Sequence, residues 1–291
     1  MSYRRRASPL HAARAAAAIS WCVALGVASL IQSNPVLLGA IAVSVTVAGL
    51  LAGVGNELRR SLIWAVPLWF TVAAINALVA RQGLTVIWRF GDLPVIGQTN
   101  VTLEATVYGA VLGLRAATLV LIGTLYSVAV DPDEVLRLFR GFSFSSALSA
   151  TIATRMVPVL VRDSHRLAEA QRCRPGKPPG RAQLLRATTA GVLDRALDVA
   201  ATLEVRGYGA VHRARGGAHR RRRAWSRHDL EFTASALLVL AIAVVARAVG
   251  WGGFTAYPLL RAPAGARTLE LAAMLVLAAL APFADRRGIV R

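Results

Sequence analysis

The sequence is poor in acid, in lysine, in cysteine and in the motifs of catalysis. Of 291 residues only 15 are Asp or Glu, against 34 Lys and Arg and a formal net charge of +19. The single lysine, Lys177, lies in "PGKPPG", where the following prolines cannot open a helix, and no G-x-x-x-x-G-K-[ST] loop occurs. The chain therefore lacks a phosphate cradle with which to hydrolyse ATP. Its two cysteines, Cys22 in an apolar run and Cys173 in a charged one, make no disulfide framework. The five histidines show no His-x-x-x-His spacing and the cysteines no Cys-x-x-Cys, so neither a metal centre nor a bound cofactor is expected. Missing as well is the D-D-x-x-D type of acidic cluster that a membrane enzyme of isoprenoid or lipid phosphates would use.

What the chain has in abundance is apolar length. Hydrophobic residues make up 55% of it, the mean hydropathy is +0.52, and the long runs in which they come mark an integral membrane protein. A hydrocarbon core of about 30 Å takes roughly 20 apolar residues as helix. Six runs qualify, at about 15–31, 36–54, 62–79, 106–130, 232–249 and 269–283. Pro67 interrupts the third, which a helix bundle tolerates. The leading "MSYRRRASPLHAAR" is read as the approach to a retained first helix, because no clear small-residue cleavage site is followed by a soluble mature domain.

Arginine sets the orientation. Arg4, Arg5, Arg6 and Arg14 precede the first span, Arg59 and Arg60 lie between the second and third, and Arg286, Arg287 and Arg291 follow the sixth. Short basic loops stay in the cytoplasm, which puts both termini there. Residues 131–228 fall on the same side and hold more than half of the basic residues, "HRRRRAWSR" among them. Loops 80–103 and 250–267 remain outside, with Asp92 and Glu104 expected to be solvated at the outer boundary. The arginine-rich run 213–223 anchors the cytoplasmic face or meets anionic lipid. Nucleic acid is not an expected partner, since this charge sits between apolar spans and not on a groove-reading fold. The expected fold is all-α and polytopic: residues 1–130 carry four spans, 131–228 form a cytoplasmic helical region, and 229–291 carry two more spans.

That cytoplasmic region has distinct helix signals. "DPDEVLRLFR" offers Asp131 as N-cap, Pro132 at the first helical position and Glu134 three residues after the cap. Further on, Leu148, Ile152, Met156, Val159 and Leu160 recur at helical steps before the sequence turns polar toward Glu169, Arg172 and Arg174, and Pro175 and Gly176 stop the helix. A second amphipathic helix repeats the scheme, with Leu185, Val192, Ala196 and Leu203 on one stripe and Gly207 at the C-cap. Each helix thus runs through a glutamate, Glu169 or Glu204, into an arginine, Arg174 or Arg206, at an abrupt break. A last-turn cation is worth about 0.3 to 1 kcal/mol to its own helix. Two such arginines projecting past helix ends are equally suited to bidentate contact with a carboxylate on another protein, and both readings stand on the residues alone.

At these residues the chain resembles the transmembrane T component of energy-coupling-factor (ECF) transporters, the family that includes the cobalt-transport permease CbiQ. "LEVRGYG" is similar to the second of that family's two Ala-Arg-Gly-type motifs, with Arg206 as its arginine and Val205 in place of alanine. "EAQRCRPG" resembles the first, with Arg174 as its arginine, Cys173 in place of alanine and Pro175 in place of glycine or serine. Also family-like are "SNPVLL", "GLRAATLVL", "DPDEVLRLFR" and "TRMVPVLVRDSHRLAEAQR". The resemblance implies a coupling subunit of an ECF-type ABC importer in a bacterial or archaeal-type cell membrane. It would link two ABC ATPase subunits to a membrane-embedded S component that captures a vitamin or a transition metal. It further implies that Arg174 and Arg206, with Glu169, Glu204 and Gly207 beside them, dock the coupling helices onto the ATPases, and that the chain itself is no enzyme.

Arg115 stands inside the fourth span, where a charge faces a protein interior or a wet cavity; pairing with a polar group such as Asn76 is the structural expectation, and a part in the transport path the other. The small-residue stretches "AGLLAGVG" and "YGAVLG" suit close helix approach, within the chain or against an S component. Two other classes remain as alternatives: a membrane-integral lipid- or isoprenoid-phosphate enzyme, and a stand-alone secondary transporter, although the latter more often shows two matching halves.

Overall fold

The computed structural model describes residues 6–79, 85–93, 97–139, 144–173, 180–205, 225–256 and 265–285. Ten α-helices are described: α1 (Pro9–Ala12), α2 (Ala15–Ile31), α3 (Pro35–Leu51), α4 (Gly55–Val79), α5 (Leu103–Ala129), α6 (Pro132–Phe139), α7 (Phe144–Arg172), α8 (Arg181–Val205), α9 (Arg227–Ala248) and α10 (Ala266–Leu280). The chain is an all-α polytopic membrane protein. Four helices are long and apolar enough to cross a bilayer: α4, α5, α9, and α10 with the short 3-10 turn that extends it to Phe283. α2 and α3 are equally apolar but 17 residues long, the short end of what a hydrocarbon core of about 30 Å admits. Pro67 lies inside α4, which continues through it.

Clustering of the chain gives two compact units, Met1–Val135 with Trp225–Arg291, and Leu136–Ala224. In the first, α2 packs on α5 and α9, α3 on α5 and α10, α9 on α10, and α4 along α5. Its core is continuous, with Trp21, Leu25, Leu37, Ile41, Leu125 and Phe232 almost wholly buried. Edge-on contacts among Trp21, Phe232 and Phe283, with ring centroids 5.4 to 5.8 Å apart, join α2, α9 and the end of α10. In hydrocarbon a polar side chain must find its partner within the protein. Accordingly the Trp21 indole donates to Ser235 Oγ at 3.1 Å, which donates in turn to the Ala278 carbonyl at 2.6 Å. Thr124 donates to Ser61 Oγ at 2.8 Å, tying α5 to α4.

Small residues set how close the helices come. A Cβ built on Gly113 would lie 2.4 Å from Trp69 Cδ1 and 2.6 Å from the Trp69 carbonyl oxygen, and one on Gly109 2.7 Å from Asn76 Cβ. "YGAVLG" therefore meets the chain's own α4, and the Trp69 indole seals the contact by donating to the Ala110 carbonyl at 2.8 Å. The other small-residue stretch makes a turn. Gly53, at φ +75, ends α3 in a Schellman arrangement, its N–H bonded to the Leu50 carbonyl and the Val54 N–H to Gly49.

The segment 80–103, expected as a loop, carries two strands among its described residues. β1 (Val86–Leu93) pairs antiparallel with β2 (Gly97–Thr102), from Val86↔Thr102 to Leu93↔Gly97, with register shifts between Val86 and Trp88 and between Arg89 and Asp92. The reason is legible afterwards, since "TVIWRF" and "TNVTL" are rich in β-branched and aromatic residues. Glu104 also departs from expectation. It is buried, 2% exposed, and its carboxylate accepts the Thr85 N–H at 3.2 Å and hydroxyl at 2.9 Å. A first-turn carboxylate is favoured at a helix N-terminus, and here it also fastens the start of the hairpin to α5.

Candidate functional site

α6 begins as the sequence signals. Asp131 caps α6, its Oδ1 accepting the Asp133 N–H at 2.9 Å and its carbonyl the N–H groups of Glu134 and Val135 at 3.1 Å. Glu134, however, does not turn back onto Asp131 to close a capping box. Its carboxylate accepts the Ala15 N–H at 3.3 Å, at the start of α2.

In the second unit α7 and α8 lie side by side. On α7 the half-buried stripe contains Ile152, Met156, Val159 and Leu160, as the periodicity predicts; the side chain of Leu148 is outside the described residues. On α8 the stripe is Thr188, Val192, Arg195, Val199 and Leu203. Leu185 and Ala196, expected on it, are exposed instead, Leu185 at 68%. The ion pair explains the rotation: Arg195 Nη1 meets Asp163 Oδ2 of α7 at 2.6 Å, so the face that carries Arg195 turns toward α7. Asp163, Arg166, Leu160, Thr188, Gly191 and Arg195 line a groove of about 340 Å³ between the helices. Among the described residues of α7 and α8 none is buried, while Val157, Val161, Leu193, Leu197 and Val205 are exposed with Leu185. Two helices with so little covered apolar surface present a face that a partner can cover.

Glu169 and Glu204 lie exposed near the ends of these helices and form no ion pair among the described residues. α7 ends at Arg172, two residues before Arg174, and α8 at Val205, next to Arg206. Arg174, Arg206 and Gly207 themselves lie outside the described residues.

The intramembrane arginine has a partner other than the expected one. Arg115 Nη2 donates to the backbone carbonyl of Gln32 at 2.8 Å, whereas the Asn76 amide donates to the Val72 carbonyl of its own helix at 3.1 Å. The electrostatics favour Gln32. It caps the C-terminus of α2, the negative pole of that helix, and its side chain donates to the Ala243 carbonyl of α9 at 3.0 Å. Arg115 Nε is buried and has no hydrogen-bond partner among the described residues.

The family model of the cobalt transport protein CbiQ matches residues 6–216. The chain belongs to that family. No curated protein matches it. As a CbiQ-family chain it is a permease component of cobalt- or ECF-type transport, multi-pass in the membrane. The matched segment takes in α1 to α8 and positions 174 and 206. What sequence reading of this CbiQ-family chain missed lies in pairs distant along it. Asp163 with Arg195, and Glu134 with Ala15, join different helices, and no local spacing announces them. Asp229 carried one local signal, the "SRHD" capping box that opens α9.

Proposed function

We propose that the chain is the transmembrane coupling subunit of an ECF-type ABC importer. It transmits ATP-driven motion from two ABC ATPase subunits to a membrane-embedded S component that captures the cargo, a transition metal such as cobalt or a vitamin. The observation that carries this reading is the family match extending through the α7–α8 pair, whose apolar side chains are exposed. Arg174 and Arg206 are the docking arginines in this reading, with Glu169, Glu204 and Gly207 shaping the helix ends that present them. Both termini and residues 131–228 face the cytoplasm, where the ATPases are. In this reading cargo selection belongs to the S component.

The test is assembly. Removing one partner of a buried interfacial charge pair costs about 2 to 5 kcal/mol, against about 0.3 to 1 kcal/mol for a helix-end cation acting on its own helix. Arg174→Ala and Arg206→Ala should insert normally yet lose ATPase pull-down and coupled uptake, the double change most of all. Arg206→Lys should restore only part, because an ammonium lacks the planar fork. Double-mutant protein that retained ATPases at wild-type affinity and transported cargo would return both arginines to the status of helix caps. Purified chain free of ABC subunits should hydrolyse no ATP, and a cysteine introduced at position 215 should resist labelling from outside intact cells.

A further inference from the structure

α2 is an apolar helix with no side-chain cap of its own: Arg14, at its N-cap, makes no capping bond. The first backbone N–H groups of such a helix carry partial positive charge and need acceptors. Both acceptors come from far along the chain. Asp229 Oδ1 accepts the Arg14 N–H at 2.7 Å, and Glu134 accepts the Ala15 N–H at 3.3 Å. Asp229 is 2% exposed and serves two helix starts at once. Its Oδ2 accepts the Ser226 N–H at 2.9 Å in the capping box of α9, and the same oxygen lies 3.2 Å from Arg14 Nε.

The identity of these two carboxylates is the informative part. The chain leaves the membrane unit after Val135 and re-enters it at Trp225. Glu134 is one residue before the exit and Asp229 is four after the return. Consecutive residues at the tip of one helix therefore hold both chain passages through which the cytoplasmic unit is tethered. At the opposite pole the same helix is held by Arg115 through the Gln32 carbonyl, and Gln32 in turn bonds to α9. Carboxylates at the positive pole and a guanidinium at the negative one are what a helix dipole favours.

We propose that α2 is the transmission rod of coupling, with Glu134 and Asp229 as positioning residues that fasten both roots of the cytoplasmic unit to its N-terminus. The proposal rests on the coupling function put forward above. Displacement of either root pulls on α2 through bonds to its backbone N–H groups, with the Asp229–Arg14 ion pair beside them. The rod delivers that displacement to the Arg115 contact inside the membrane.

The test uses the complete transporter, with its ATPases and S component, in proteoliposomes. Hydrogen exchange of the first-turn amides of α2 should respond to ATP in the wild type and cease to respond in Glu134→Ala/Asp229→Ala, which removes both acceptors. In that variant uptake per ATP hydrolysed should fall about fivefold or more while the ATPases remain bound. Glu134→Gln, whose amide oxygen still accepts from Ala15, should recover part of the Glu134→Ala loss and guards against a simple folding defect. Arg14→Ala keeps the backbone donors and should lose less than Glu134→Ala. Variants that assemble and hydrolyse ATP with unchanged uptake per ATP and unchanged exchange at α2 would overturn the rod and leave the coupling function standing. A wild-type chain that binds no ATPase would remove both.

Discussion

The two units of the chain are held in opposite ways. In the membrane unit helices touch backbone to backbone at Gly109 and Gly113, aromatic rings interlock around Trp21, and the polar groups of Ser61, Thr124 and Ser235 are bonded across helices. Between α7 and α8 the described residues include none that is buried, and the principal polar link is one ion pair whose members, Arg195 and Asp163, are 42% and 34% exposed. The difference teaches where stability is internal and where it is left to be completed. Lipid offers no hydrophobic drive between helices, so the membrane unit relies on close packing and satisfied polar groups. The α7–α8 pair leaves Val157, Val161, Leu185, Leu193 and Leu197 exposed, which the docking role proposed above would use.

The largest effect is expected where the membrane unit is tightest. Gly113→Ala puts a methyl within 2.6 Å of the Trp69 carbonyl oxygen, an atom that moves only if α4 moves. Overpacking of this kind costs about 1 to 3 kcal/mol, and the backbone contact places the variant at the upper end. Thermal unfolding in detergent should show the loss, with the Trp69–Ala110 bond broken as well. If Gly113→Ala unfolded like the wild type, the contrast between the units would lose its main support.

A smaller effect is expected on acidification, and again only in the membrane unit. His11 of α1 bonds to Ser8 Oγ at 2.7 Å, and its pKa is lowered from 6.5 by burial first and by the nearby charge of Arg6, with the Val128 backbone opposing. A base whose pKa is depressed on folding binds more protons when unfolded, so its stabilising contribution is full at high pH. That contribution is lost as the pH falls through about 6.5 toward the folded value. Unfolding temperatures between pH 8 and pH 5.5 should drop more steeply for the wild type than for His11→Gln; parallel curves would rule His11 out as the cause.

The smallest effects belong to the α7–α8 pair. Arg195→Ala removes a partly exposed ion pair and should cost below about 1 kcal/mol, less so in high salt. Gly191 on α8 has nothing within 4 Å of a built Cβ, so Gly191→Ala should raise helix stability by about 0.5 to 1 kcal/mol. Circular dichroism of the variants through thermal unfolding would show both changes. A large loss at either position would mean that α7 and α8 are packed as tightly as the spans.

The helices that lead to the candidate site were partly readable from periodicity and punctuation. Asp131 and Pro132 start α6 where they should, and the α7 stripe falls on Ile152, Met156, Val159 and Leu160; the C-cap expected at Gly207 lies outside the described residues. These features are local, decided within a turn or two of helix. Leu185 and Ala196 were placed on the wrong face because the apolar pattern of α8 is weak and an ion pair to another helix set its rotation. Glu104 was read as solvated because an acid at a loop edge has no local sign that Thr85, 19 residues earlier, will enclose it.

By itself the sequence determined that this chain lives in a membrane, which segments are apolar helices, and where α6 begins. Apolar length and helix punctuation depend only on neighbours along the chain. Only the tertiary structure decided that Arg115 answers Gln32 rather than Asn76, that "YGAVLG" meets α4, and that Glu134 and Asp229 meet at the start of α2. Each of these joins residues dozens to hundreds of positions apart, and such a partner is chosen by the geometry of packed helices and by the demand that every buried charge and helix pole be answered.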